Sequence, residues 1–113
     1  MRVHEDVGPG LLESVYDNCM RREFKRTGVL FTRQTSLKVM YAGAVVGQSY
    51  RPDFVVEGAV VVELKSVSSI LPVHIAQALS YMKLSKLEIG LIINFNVEYL
   101  IRGVKRLILT RSP

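Results

Sequence analysis

The run Val60-Val61-Val62-Glu63-Leu64-Lys65 restricts the possible folds more than any other part of the chain. Three successive β-branched residues are typical of a strand buried on both faces inside a sheet. Alternation places Glu63 and Lys65 on one face at the end of this strand and Leu64 on the other. Because a buried charge is costly unless it is paired or bound to a metal, these two residues need a partner. The simplest interpretation is an ion pair between them.

Asp53, in the preceding predicted strand, offers a second interpretation. A two-residue loop at Glu57-Gly58 would put Asp53 and Glu63 on opposite faces of the sheet. A three-residue loop ending at Ala59 would set Asp53 opposite Glu63, with Gly58 at positive φ. We predict the three-residue loop, because two carboxylates on one face suit a hard cation such as Mg²⁺. The backbone carbonyl of Leu64 is a further candidate oxygen ligand.

The remaining patterns predict a mixed central sheet flanked by helices. Apolar residues at helical spacing indicate a first helix over 10–27, with Pro9 at its start and Gly28 as its stop. A second helix over 72–86 is long enough to connect parallel neighbours. Strands are predicted over 29–38, 39–42, 45–50, 52–56, 59–64, 89–94 and 106–110. The order is a helix, three or four antiparallel strands, a helix, a strand and a short last strand, which is an α/β (α+β) arrangement.

Composition limits the classes of function. A chain of 113 residues fits a single domain, 1–113, that can bury a core without disulfides. Its single cysteine, Cys19, is interpreted as a small buried apolar residue of the first helix. There is no apolar run long enough for a membrane span and no signal-peptide pattern, so we expect a cytoplasmic protein. The net charge of +5 and pI of about 9.6 favour a polyanionic partner.

Three motifs give the chain a family resemblance. Pro52-Asp53, nine residues, then Glu63-Leu64-Lys65 resembles the PD-(D/E)XK nuclease signature. The segment from Gly10 to Tyr16 resembles the Gly-x-x-Glu-x-x-Tyr pattern of the GxxExxY family, a branch of that superfamily. Gln77 and Tyr81 resemble the Gln-x-x-x-Tyr motif of its exonuclease-like branches. The resemblance runs from about Val3 to Leu109 and implies a restriction-endonuclease-like core with the element order αβββαβ.

The resemblance also implies roles for individual residues. Asp53 and Glu63 look like metal ligands, and Lys65 looks like the catalytic lysine that orients or deprotonates a water or stabilises phosphate charge. Glu13 looks like the first-helix acid that reaches the metal directly or through water. The implied cofactor is Mg²⁺, with Mn²⁺ as a substitute. Three residues are expected to orient the site or bind substrate: Gln77, Tyr81 and Tyr16.

Plainer interpretations remain beside these. Glu13 could be an ordinary first-turn acid that suits the helix dipole, and Tyr16 an ordinary core residue. Gln77 could be a solvated helix residue and Tyr81 simple packing. Asp17 is interpreted as a surface residue, and His4, near a frayed start, is assigned no role.

Three functions compete at this point. The first is a metal-dependent nuclease that hydrolyses phosphodiester bonds in DNA, or alternatively in RNA. The second is a non-catalytic nucleic-acid-binding or assembly module with the same fold. The third, weaker one is hydrolysis of another phosphate ester. A domain of this size shows no specificity arm, which suggests a homodimer or a partner for gripping substrate.

Overall fold

Seven strands, three α-helices and a short 3-10 helix lie in residues 1–110, the part of the chain that the computed structural model describes. None of these helices is long and apolar enough to cross a membrane. The elements in chain order are α1 (Arg2–Val7), α2 (Glu13–Thr27), β1 (Phe31–Arg33), β2 (Leu37–Tyr41), β3 (Ala44–Tyr50), β4 (Phe54–Val56), β5 (Val60–Lys65), α3 (Pro72–Ser85), β6 (Ile89–Asn94), the 3-10 helix (Leu100–Gly103) and β7 (Val104–Ile108).

A five-stranded mixed sheet in the order β1-β4-β5-β6-β7 forms the centre of the fold. The strands β5 and β6 run parallel, and the other neighbours are antiparallel. The helix α3 makes the crossover between the parallel pair, as the sequence predicts. The hairpin β2–β3 does not join this sheet but forms a separate two-stranded sheet. This mixed sheet flanked by helices agrees with the predicted α+β, restriction-endonuclease-like architecture.

The loop between β4 and β5 has the predicted three residues. Val56 pairs with Val60, and Gly58 has a φ of 61°. Glu57 also adopts a positive φ, of 54°. Phe54 pairs with Val62. Extending this register by one residue sets Asp53, just before β4, opposite Glu63 of β5. The register therefore sets the two carboxylates opposite one another.

Two apolar layers cover the sheet, one on each face. The layer towards α2 contains Tyr16, Phe54, Val62, Leu64 and Phe95 at its centre. The layer towards α3 contains five central residues: Val61, Ala78, Tyr81, Met82 and Ile92. Since β5 contributes alternate residues to both layers, it is buried on both faces as its sequence predicts. Cys19 is half-buried against the layer on the α2 side.

Several predicted element boundaries are wrong. The first helix begins at Glu13 rather than at residue 10, because Gly10 has a φ of 89°, which is incompatible with a right-handed helix. The strand predicted over 29–38 is limited to Phe31–Arg33, since Gln34 turns the chain with a φ of 50°. The last strand is Val104–Ile108 rather than 106–110.

Two residues near α1 and α2 are also buried against expectation. His4 belongs to the unpredicted helix α1, is only 8% exposed, and its Nε2 lies 2.7 Å from the carbonyl oxygen of Val97. Asp17 is only 7% exposed and accepts a hydrogen bond from Arg33. The interpretations of His4 as part of a frayed start and of Asp17 as a surface residue are therefore wrong.

Candidate active site

Two hydrogen bonds hold the carboxylates of Asp53 and Glu63 beside one another at the end of β5, and each is donated by a backbone N–H of the opposite strand segment. The backbone N–H of Asp53 donates to Oε2 of Glu63 at 3.0 Å, and the N–H of Leu64 donates to Oδ2 of Asp53 at 2.7 Å. Glu63 is only 4% exposed, whereas Asp53 is half-buried. Each carboxylate thus uses one oxygen to hold the neighbouring backbone, which fixes the pair in position.

The electrostatics of this pair favour a positive charge between the two groups. Burial raises the pKa of Glu63 to about 9, and the hydrogen bond to the Asp53 side chain and the negative charge of Asp53 act in the same direction. Without a cation, Glu63 therefore keeps a proton at neutral pH. Two ionised carboxylates side by side repel one another. A cation bound between them would remove that repulsion and would take the place of the proton on Glu63.

Glu13 and Lys65 extend the charged cluster beyond this pair. Glu13 stands in the first turn of α2, and its carboxyl borders the same cavity as Asp53. Partial desolvation raises the pKa of Glu13, the positive charge of Lys65 opposes that change, and Asp53 and Asp17 reinforce it. Lys65 is half-buried at the end of β5 and also acts electrostatically on Glu63. The structure brings these four residues together.

Tyr81 and Gln77 both lie on the helix α3, but Tyr81 is buried and Gln77 is exposed. Tyr81 is buried, and burial together with the nearby charges of Glu63 and Asp53 raises the pKa of its hydroxyl. Its side chain therefore lies beside the carboxylate pair. Gln77, one helical turn earlier, is exposed to solvent.

Tyr16 lies in the core, stacked on Phe95 with ring centroids 4.3 Å apart. Its hydroxyl donates to the carbonyl of Gly8 at 2.6 Å and accepts from the N–H of Leu11 at 3.2 Å. The hydroxyl of Ser66 donates to the carbonyl of Leu11 at 2.6 Å. Tyr16 thus fixes the loop that precedes α2, and through that loop it fixes the position of Glu13.

A cavity of about 400 Å³ opens at this end of the sheet. It is lined by Glu13, Ser14, Asp17, Asn18, Arg33, Gln34, Asp53 and Leu64. Nε of Arg33 donates to Oδ1 of Asp17 at 2.9 Å, which places a guanidinium in a cavity bordered by carboxylates. The sequence analysis missed this pair, since residues 16 positions apart on a helix and a short strand give no local signal.

Asn94 is a second residue that the sequence analysis did not single out as part of the site. It is 3% exposed and lies opposite Lys65 in the parallel register. Its Oδ1 accepts from the N–H of Val67 at 3.1 Å, and its Nδ2 donates to the carbonyl of Val67 at 2.9 Å. Asn94 therefore holds the backbone just after Lys65. The one sequence signal for a role of Asn94 is its position as the polar last residue of β6, a strand that is otherwise apolar.

The donor set fits one hard cation with few protein ligands. Within residues 1–110 no group of three or more His, Cys, Asp or Glu side chains is close enough to form a complete metal cage. Two carboxylates and a nearby backbone carbonyl are nevertheless the pattern expected for Mg²⁺, which keeps water and substrate oxygens as its other ligands. The raised pKa of Glu63 agrees with that pattern, because it shows that ionised Glu63 beside Asp53 needs a compensating positive charge.

Comparison with known proteins assigns the chain to a known group. Residues 1–107 match the family model described as the PD-(D/E)XK nuclease superfamily. No curated protein and no solved structure matches the chain. The matched range contains the paired carboxylates, Lys65 and the whole sheet except the last residue of β7. The chain belongs to the PD-(D/E)XK nuclease superfamily.

Proposed function

We propose that this protein is a divalent-metal-dependent nuclease that hydrolyses phosphodiester bonds in DNA, with RNA as the alternative substrate. One observation carries the proposal, namely the two carboxylates of Asp53 and Glu63 held side by side by backbone N–H groups, next to Lys65 at the end of a buried strand. Superfamily membership supports phosphodiester chemistry, and the positive net charge of +5 supports a polyanionic substrate.

The acidic residues and one backbone group are proposed to hold the cation. Asp53 and Glu63 would bind it directly, with the Leu64 carbonyl as a further oxygen ligand and Glu13 as a direct or water-mediated one. Mg²⁺ is the proposed ion, and Mn²⁺ would substitute for it. When bound, the ion would supply Lewis acidity to the phosphate and to a water. The raised pKa of Glu63 supports this assignment, because burial first and the neighbouring Asp53 second both disfavour an uncompensated negative charge on Glu63.

The remaining side chains would act on the water and the substrate. Lys65, half-buried beside the carboxylates, would orient the attacking water or stabilise the charge that develops on the phosphate. Tyr81 would position the site through its hydroxyl, which lies close to both acids. Gln77 is exposed on the same helix and is proposed to contact the nucleic-acid backbone.

The GxxExxY branch is the proposed subfamily within the superfamily. The geometry gives that motif a physical meaning: Gly10 provides a positive-φ turn, Glu13 faces the cavity, and Tyr16 holds the loop between them. These contacts support a motif that acts as a unit to position one carboxylate.

A cellular location and an assembly are proposed as well. We infer a cytoplasmic protein formed by one domain over 1–113, of which residues 111–113 lie outside the described part of the chain. A homodimer is proposed as the means of gripping substrate. Exposed apolar residues on the β2–β3 hairpin, including Met40, Tyr41 and Val46, support an interaction surface there.

Cleavage of labelled single- and double-stranded DNA and RNA in the presence of Mg²⁺, Mn²⁺ or EDTA tests the proposed function. We expect cleavage with either metal ion, none with EDTA, and a loss of at least roughly 10²-fold in Asp53→Ala, because that variant removes a ligand and the acceptor for the Leu64 N–H. The matched control is Glu88→Ala, which removes an exposed acid at the opposite end of β6 and should cleave like the wild type.

Three results would contradict the proposal. Cleavage that survives EDTA or the Asp53→Ala change would remove the metal site from the mechanism. Nucleic-acid binding without cleavage under any metal ion would instead favour the non-catalytic binding module. Preferential hydrolysis of a small phosphodiester, uninhibited by oligonucleotides, would favour the third function.

A further inference from the structure

Two neighbouring cavities meet on the exposed face of α2. The cavity that contains Asp53 and Glu13 is bordered on one side by Asn18. A second groove, of about 320 Å³, is lined by Asn18, Arg21, Arg22 and Lys25. Because Asn18 borders both, the surface is continuous from the carboxylate site to the basic end of the helix.

The spacing of these residues makes a straight path. Ser14, Asn18, Arg22 and Lys25 are separated by four, four and three positions, so they lie along one side of the helix. At a rise of about 1.5 Å per residue, the path from Ser14 to Lys25 is roughly 16 Å long. That length matches roughly five stacked nucleotides at about 3.4 Å each.

The cations on this path differ in whether they are already paired. Arg21 lies 3.6 Å from Asp17, and Arg26 pairs with Glu23. Arg22 and Lys25 are exposed, and neither forms an ion pair within residues 1–110. Both cations also border a cavity of about 580 Å³ that contains Asp6 and Glu23. Because neither is held in an ion pair with an acid, both are available to neutralise phosphates.

Arg33 provides a cation at the other end of the path. It borders the carboxylate cavity, and its Nε is held by the buried Asp17. The acid that holds this guanidinium, Asp17, is buried rather than exposed to solvent. Arg33 is therefore already oriented before the substrate binds. The path thus has positive groups at both ends and the polar Asn18 between them.

We propose that the phosphate backbone of the substrate strand leaves the active site along this face of α2, in contact with Arg33, Arg22 and Lys25. The inference rests on the proposed function and adds the route of the nucleic acid to it. A basic last turn also suits the helix dipole, but the dipole explains neither the shared Asn18 border nor the cations that line the groove.

Salt-dependent binding tests the route. Fluorescence anisotropy would follow a labelled single-stranded 20-nucleotide DNA in EDTA at several KCl concentrations. We expect Arg22→Ala/Lys25→Ala to bind roughly tenfold more weakly, with the slope of log K against log [KCl] reduced by about 1.5, because two phosphate contacts are lost. Cleavage with Mg²⁺ should show a raised KM and an unchanged kcat, because neither residue reaches the carboxylates.

The matched control is Lys105→Ala/Arg106→Ala, which removes the same charge from exposed positions on β7, at the edge of the sheet. It should bind within threefold of the wild type. Equal losses in both double variants, or no loss in either, would overturn the route. If the wild type cleaves and binds but Arg22→Ala/Lys25→Ala is unaffected, the route alone is wrong. A wild type that neither binds nor cleaves would overturn the proposed function together with the route.

Discussion

Replacing Lys65 by alanine is expected to lower the single-turnover cleavage rate by roughly 10²–10⁴-fold, the usual range for removing a group that acts only in the transition state. The backbone at Lys65 is held firmly, since its carbonyl accepts from the N–H of Phe95 at 2.9 Å and Asn94 holds the next residues. The lysine is therefore anchored at the end of β5, where its positive charge acts on both Glu63 and Glu13.

Comparison with Lys65→Arg separates two roles of this residue. If Lys65 stabilises phosphate charge, arginine should restore part of the rate, whereas a role in taking a proton from water would leave arginine as inactive as alanine. Lys105→Ala, on the exposed side of β7, is the control for the loss of a positive charge. A Lys65→Ala enzyme that cleaves within threefold of the wild-type rate would remove Lys65 from the chemistry.

The free energy of unfolding of the metal-free protein is expected to decrease as pH rises from about 4.5 to about 9. Burial and Asp53 raise the pKa of Glu63 in the folded state, so the folded protein binds more protons than the unfolded chain throughout this range. The stabilisation that protonation of Glu63 gives to the folded state is fully present below the pKa of Glu63 in the unfolded chain. It decreases as pH rises above that value and is lost once pH passes the pKa of Glu63 in the folded protein. The total loss should be on the order of several kcal/mol.

Glu63→Gln should remove most of this pH dependence. Glutamine is neutral at every pH, yet its amide oxygen can still accept the N–H of Asp53. Urea denaturation at a series of pH values, in EDTA, would measure the effect for wild type, Glu63→Gln and the exposed control Glu88→Gln. Saturating Mg²⁺ should flatten the wild-type profile, because a bound cation stabilises ionised Glu63. Identical profiles for wild type and Glu63→Gln in EDTA would contradict the assigned environment of this carboxyl.

The central part of the fold is predictable because its signals are local and strong. The β-branched run of β5 predicts a strand buried on both faces, and Pro72 marks the start of the crossover helix. The three-residue loop was chosen from chemistry rather than from propensity: only that register lets Asp53 and Glu63 share one site, and the pairing of Val56 with Val60 confirms it.

The features that the sequence does not reveal depend on distant contacts. The helix α1 has only six residues, too few to be stable alone, and it is buried through Val3 and His4. The burial of Asp17 follows from its pairing with Arg33, which the fold brings near. The plainer interpretation of Tyr16 as a core residue agrees with its stacking on Phe95. Its hydroxyl bonds to the loop before α2 explain how a core residue can also serve the site.

Binding of Mn²⁺, followed by electron paramagnetic resonance, tests most directly whether Asp53 and Glu63 form a divalent-cation site. We expect one Mn²⁺ bound per chain in the wild type, competed by Mg²⁺, and an affinity weakened by at least roughly tenfold in Asp53→Asn. Glu88→Gln, which alters an exposed acid away from the pair, should bind like the wild type. Equal Mn²⁺ affinity in wild type and Asp53→Asn would contradict the account, because the paired carboxylates would then not be the site of the ion.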